Sequence, residues 1–556
     1  MPRPLVSLNL KSEPLIVANP PKSTMLKSTD HKVADEDRLA QLGYKQELQR
    51  EFTSFSNFGL AFTVIGVMPG LSVAYGSIFW GWIVVSFFTM TVAASMAEIC
   101  STYPTSGGLY FWSSRLASPE WAPFMSWITG WFNLLGQFAV TAAIDFSLAL
   151  MIIAAAIIGT DFAFTASAGA VVGVYIACVI IHAFINTFAI RYVAIMNKIS
   201  VFWNIGGVIV IVIVCLALAP ARKPASFVFG DFENNTGWQD SGLVFLLGLL
   251  QAQYTMTGYD GAAHISEETQ RASVAAPAAI ITGVSVAALV GVFFLGGTLA
   301  AIQSIDSIVN TETGIAIAQL FLDATGKNAA LCLVTIVIVS QFLTGAASLT
   351  ANSRMTYAFS RDGAIPGSRW WHRIYFPTTW KSPVAAVWLD AIVVMILGLP
   401  YLGSSIAFNA ILSVSTIGLY ISYALPILCR LIWSLHTMEK GPFDLGRWSI
   451  PLNIIAVLWV AFITVLFILP TILPVNALDM NYAIVAIGAV FFGAVGSWIF
   501  SARSWFKGPT RNAQEVDEGL QILGAVMDGK DVEKAFPQVR AGERELPVLN
   551  VENKTV

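Results

Sequence analysis

The chain has 556 residues, of which 56 % are hydrophobic and only 12 % charged, with a net charge of −3. Soluble domains carry about 25 % charged residues, so a chain this long with half that share cannot cover a water-facing surface, and lipid is its solvent. The near-neutral balance excludes a basic nucleic-acid surface. Its five cysteines and five histidines stand dispersed, without metal-ligand spacing, so neither a metal nor another cofactor is expected.

Residues 1–50 are polar and of mixed charge, with no apolar core suited to a cleavable signal. They are expected as a disordered, solvated tail, which leaves the first span to direct insertion. A spanning helix needs about 20 mainly apolar residues. That rule predicts an all-α, polytopic membrane protein with twelve spans. The first five fall near 54–78, 79–102, 121–158, 168–190 and 195–219, and the next five near 241–263, 277–301, 328–352, 383–402 and 405–432. Residues 51–432 thus form a ten-helix core in two halves, about 54–219 and 241–432. Two peripheral helices follow near 452–473 and 480–503, then a second polar tail, 504–556, in which 513–536 is predicted as a short amphipathic helix. Lysine and arginine crowd the loops on the side of the termini, from Lys45 and Arg50 to Lys440 and Arg447. Only Arg222, Lys223 and Lys327 stand opposite. Both termini are therefore expected in the cytosol.

Two spans are interrupted. Span one carries Ile65-Gly66-Val67-Met68-Pro69-Gly70, where Pro69 has no N–H and clashes with the carbonyl four residues back. Span six carries Tyr254-Thr255-Met256-Thr257-Gly258-Tyr259-Asp260-Gly261, glycines beside polar groups. Glycine in a membrane helix also serves close packing. Two breaks five spans apart, however, occupy equivalent positions if spans 1–5 and 6–10 are inverted repeats, and such pairs point to a transport site. Gly66, Met68, Pro69, Gly70, Tyr254, Thr255, Thr257, Gly258 and Asp260 are accordingly candidate binding residues, joined by Asn133 and Gln137 of span three. Glu267 and Glu268 are expected to meet Arg354 and Arg361 in a cytosolic gate, with a solvated charge cluster as the alternative. Glu98 reads as a brace for a cytosolic loop and Asp145 as solvated, capping or paired. His264 lies close to Glu267 and Glu268 and reads as an incidental loop histidine, although histidine is the residue type best suited to a pH switch. No nucleophile elbow, phosphate loop or metal cluster supports an enzyme.

Several blocks then become recognisable. They are Met96-Ala97-Glu98-Ile99-Cys100 with Tyr103-Pro104-Thr105-Ser106-Gly107-Gly108-Leu109-Tyr110, and Ser126-Trp127-Ile128-Thr129-Gly130-Trp131-Phe132-Asn133. Thr257-Gly258-Tyr259-Asp260, Ser266-Glu267-Glu268-Thr269 and Ser360-Arg361-Asp362-Gly363 complete the set. Together they resemble the amino acid–polyamine–organocation superfamily, in its amino acid/choline branch of fungal GABA and choline permeases and plant bidirectional amino acid transporters. The resemblance implies a leucine-transporter-like core of five plus five helices with two peripheral ones, in the plasma membrane. It also implies a small amino acid or amine substrate, with the carbonyls of Tyr254, Thr255 and Thr257 receiving its ammonium group, and a coupling proton. A nutrient sensor of the same fold is the alternative. Three departures stand out. The segment from Gly70 to Trp80 is shorter than the family pattern leads one to expect between the first break and span two, and at about 1.5 Å per residue barely covers half a bilayer. Pro69 removes a donor that an α-carboxylate would use, which favours GABA or choline. Asn204 stands where some relatives carry a span-five lysine and supplies no fixed positive charge.

Overall fold

The computed structural model describes residues 28–71, 78–188, 190–230, 234, 236–374, 382–403, 406–470, 473–475 and 481–509. Among these, ten helices are long and apolar enough to cross a membrane. They are spans two to five and seven to twelve of the expected series. Spans one and six escape that length criterion because they are broken, so ten continuous helices and two discontinuous ones make twelve.

Span one starts where Thr53 and Ser56 exchange side-chain and backbone hydrogen bonds, a reciprocal cap for the first turn. It runs Ser54–Ile65, stops at Gly66 and restarts as Val67–Gly70. Gly66 lies at φ 54°, ψ 55°, the left-handed conformation that closes helices and that glycine adopts without a Cβ penalty. Pro69 falls in the first turn of the new segment, where a backbone N–H would have no helical partner anyway. Span two is Ile78–Thr102, and a short helix, Leu109–Leu116, leads into span three. Span three, Ala122–Gly159, has 38 residues, or about 57 Å at 1.5 Å each. Its ends must leave a hydrocarbon layer about 30 Å thick. Spans four and five are Ala168–Phe188 and Ile190–Leu218.

Span six comprises Ser241–Leu247 and Leu249–Thr255, an unwound stretch, and Gly261–His264. Spans seven to ten are Ala272–Ala300, Lys327–Arg361, Val384–Gly398 and Ile406–Trp433. Span seven packs on spans one, two and five, and span three packs on spans eight and ten. Span eleven, Ser449–Leu466, lies against spans two and ten; span twelve, beginning Ala483–Ser497, touches spans three and ten. Span twelve turns most of its surface outward, with Phe492 and Phe500 exposed.

The expectation of a fully solvated N-terminal tail needs correction. A helix covers Ser28–Gln41, and Leu39, Leu42, Tyr44, Leu48 and Phe52 are buried against the body of the protein. Phe52 forms a single parallel bridge with Thr269. The polar composition of 1–50 concealed a stripe of apolar residues that covers the ends of other spans. The predicted amphipathic helix at 513–536 lies outside the described residues.

Candidate functional site

The two breaks face each other. Val64, Ile65, Gly66, Pro69 and Gly70 of span one line a cavity of about 20 Å³ with Tyr254, Thr255 and Thr257 of span six. Span three adds Val140, Ile144 and Ser147, and span eight adds Gln341 and Thr344. That volume holds roughly one water, so the helices must part for anything larger. Gly258 is what allows this approach. It sits at φ 82°, and a Cβ there would lie 2.3 Å from Val64 Cγ1.

The carbonyl oxygens of Thr255 and Thr257 accept no hydrogen bond among the described residues. Tyr254 O accepts from the Thr257 hydroxyl at 2.6 Å, and Met256 O from the Tyr420 hydroxyl. On the side away from the termini, Gln251 Nε2 donates to Gly70 O at 2.6 Å. Gly70 N–H is already bonded to Gly66 O at 2.7 Å.

One turn toward the terminus side, Asp260 is fully buried and surrounded by donors. Asn133 Nδ2 and Gln137 Nε2 donate to its Oδ2 at 3.0 and 2.9 Å, and the Tyr423 hydroxyl donates to Oδ1 at 2.8 Å. Gly258 N–H in turn donates to the Tyr423 oxygen at 3.1 Å. The side-chain oxygens of Asn133 and Gln137 are buried and lack a donor among the described residues. His264, also buried, lies with Nε2 3.3 Å from Asp260 Oδ2 and Nδ1 3.0 Å from the Ser106 carbonyl.

Below this lies a band of ion pairs. Arg361 grips Glu267 with two bonds of 3.0 Å, and Arg354 holds Glu268 at 2.6 and 3.3 Å. The four residues predicted to meet do so, and burial rules out the solvated cluster: Glu267 and Arg354 are 0 % exposed. The N-terminal segment seals the band. Arg361 stacks 3.9 Å over the Tyr44 ring, Gln46 Nε2 reaches Glu267 O at 2.8 Å, and Tyr357 donates to Glu47. The hydroxyls of Tyr44 and Tyr110 both donate to Asp362. Burial pushes the Asp362 carboxyl above its usual range despite Arg361 and these donors, and raises Tyr44 as well.

The remaining candidates separate cleanly. Glu98 is the expected brace, paired with Arg430 and accepting from Ser449 and the Leu445 amide. Asp390 accepts from Thr356. Asn204 accepts from Ser340 at 2.6 Å and so ties span five to span eight. Asp145 is paired and fully buried, 2.9 Å from His182 of span four. Trp131 packs on Trp127 and Phe359. Sequence reasoning missed Tyr423 and Tyr420, whose spacing of three places both on one face of span ten, and left His264 aside.

Paired discontinuous helices around a shared cavity define a multi-pass membrane protein of the leucine-transporter-like fold. Its likeness to a solved manganese transporter of Eremococcus coleocola has a TM-score of 0.51 over 83 % of this chain and 95 % of the other, at 13 % identity. Residues 52–491 match the amino acid permease family model. The chain is 44 % identical to the amino-acid permease BAT1 homolog of Oryza sativa, covering 85 % of this chain and 95 % of that one. It is 41 % identical to amino-acid permease BAT1 of Arabidopsis thaliana over 85 % and 96 %, and 33 % identical to amino-acid permease 2 of Neurospora crassa over 87 % and 90 %. The chain belongs to the amino acid permease family, whose members are transporters rather than enzymes.

Proposed function

We propose that this chain is a secondary active permease of the plasma membrane that carries an amino acid or related amine by alternating access. GABA or choline is the preferred substrate, a proton the coupling ion, and the cytosol the side that holds the termini. The observation that carries the substrate class is an excess of acceptors. Thr255 and Thr257, whose carbonyls accept no hydrogen bond, line the cavity, and the side-chain oxygens of Asn133 and Gln137 beside Asp260 are buried acceptors without a donor among the described residues. An ammonium group supplies donors and charge together. Donors for a carboxylate are scarcer at span one, because Pro69 has none and the Gly70 N–H is taken by Gly66 O. The Glu267–Arg361 and Glu268–Arg354 pairs act as the inner gate.

A competition assay against labelled GABA uptake tests this reading. GABA or choline should compete better than alanine in the unmutated protein. Pro69→Ser restores an N–H and adds a hydroxyl. Each charge-assisted hydrogen bond contributes about 1.5–3 kcal/mol, so it should shift preference toward alanine by roughly tenfold or more. Alanine outcompeting both in the unmutated protein would overturn the preference. A substrate-dependent signal without measurable flux would favour the sensor instead.

A further inference from the structure

We propose that His264 and Asp260 together hold the coupling proton, and that Ser106 transmits its presence to the inner gate. The inference rests on the proton-coupled reading above and assigns that proton to named atoms. A neutral imidazole donates from one nitrogen only. His264 lies between two acceptors, the Ser106 carbonyl at Nδ1 and Asp260 Oδ2 at Nε2. Asp260 already receives Asn133, Gln137 and Tyr423, the donor set of a carboxylate. A neutral histidine therefore leaves one of its two acceptors facing a lone pair. One more proton, on the imidazole or on Oδ2, satisfies both and makes the pair electrically neutral.

Without that proton the pair carries a full negative charge where both side chains are 0 % exposed, an arrangement that burial opposes strongly. Opening toward the terminus side wets the pair. The N–H or O–H bond that holds the extra proton then breaks, water takes the proton, and a neutral imidazole remains beside a hydrated carboxylate. No other bond changes.

The surroundings leave this proton uncontested. Span ten contributes Tyr420 and Tyr423, and span six itself contributes Tyr259. Span eight contributes Arg354 and Arg361, each already held by a glutamate, while Tyr110 of the short linking helix is bonded to Asp362. Spans one and seven carry no charged residue, and span three presents the two amides. Ser106 N–H donates to Glu267 Oε1 at 3.0 Å, and that oxygen is also held by Arg361. One residue thus accepts from the histidine and donates to the gate. A hydrogen-bonded chain runs from Gly258 N–H through Tyr423, Asp260, His264 and Ser106 to the Glu267–Arg361 pair.

The test uses the full chain in liposomes, with labelled GABA and a pH-sensitive dye inside. Because the pair shares one proton, the proton-to-substrate ratio should fall from about one in wild type to near zero in His264→Gln and His264→Asn. Asp145→Asn, in the other buried aspartate–histidine pair, should keep the wild-type ratio. Counterflow of GABA at equal pH checks that each variant still cycles. A coupled wild type with both His264 variants still coupled overturns the assignment but not proton coupling. A wild type that transports GABA without moving protons overturns proton coupling itself. Variants that reach the membrane yet fail in counterflow as well would make His264 a structural residue and also overturn the assignment.

Discussion

Among the described residues the protein contains two buried aspartate–histidine pairs, and they differ in almost everything except residue type. Asp260–His264 is set in donors and acceptors that lead from the span-six break to the Glu267–Arg361 pair. Asp145–His182 has a 2.9 Å contact, but it is misaligned for a hydrogen bond, and both carboxylate oxygens and both ring nitrogens lack one among the described residues. Its neighbours include Tyr175, the Phe342 ring, packed 4.6 Å from the imidazole, and the backbone of Gly345. A Cβ on Gly345 would come 2.2 Å from Asp145 Oδ1. Two residues of complementary chemistry do not make a working site. The dipoles around them decide which charge states are tolerated and where a proton can go next.

The most damaging way to break this contrast is to spoil the shell of the first pair. Gly258→Val should lower uptake on the order of 100-fold at unchanged surface level. The left-handed backbone costs a side chain about 1–2 kcal/mol, and the forced contact with Val64 adds about 1–3 kcal/mol. Normal uptake would remove the break from the site. Next, Arg361→Ala leaves Glu267 buried without its cation. Removing one partner of a buried pair costs about 3–5 kcal/mol, and the slight exposure of Arg361 puts the effect at the lower end. Labelling of cysteine probes in the inner vestibule should rise tens of fold, with flux altered more than substrate affinity. Equal labelling would deny the gate. Tyr423→Phe removes one donor from Asp260 and the acceptor for Gly258, so transport at saturating substrate should fall roughly tenfold; an unchanged rate would make that hydroxyl ornamental. The smallest change is expected at the second pair. Replacing a whole buried pair by neutral groups is often near neutral. Asp145→Asn with His182→Gln should therefore leave uptake within about twofold, and a collapse of uptake at normal surface level would erase the distinction between the pairs.

What could be read from the sequence was local. Pro69 and the glycines mark the two breaks because their backbone chemistry acts within a few residues. That Glu267 and Glu268 meet Arg354 and Arg361 was legible because residues of opposite charge lay on one side of the membrane. Which glutamate takes which arginine, and that span eight runs on through both arginines to Arg361, was not. Tyr423 was not legible, since nothing near it states that it meets Asp260, 163 residues away. The same holds for His264, whose importance comes from a carbonyl 158 residues distant. The N-terminal segment misled because burial there uses scattered residues, Leu39, Leu42, Tyr44 and Leu48, in a stretch whose average is polar.

The docking of that segment also sets an order of events during synthesis. Tyr44 is made well before its partner Asp362, which follows 318 residues later. At about 5–20 residues per second, the interval is roughly 15–60 s. Throughout it, Tyr44 has its Phe111 neighbour but neither the Asp362 acceptor nor the Arg361 cation, and the Glu267–Arg361 pair that the segment covers does not yet exist. Protease protection of residues 38–52 should therefore appear only in nascent chains whose eighth span has been inserted; earlier protection would mean that the segment finds a different shelter first.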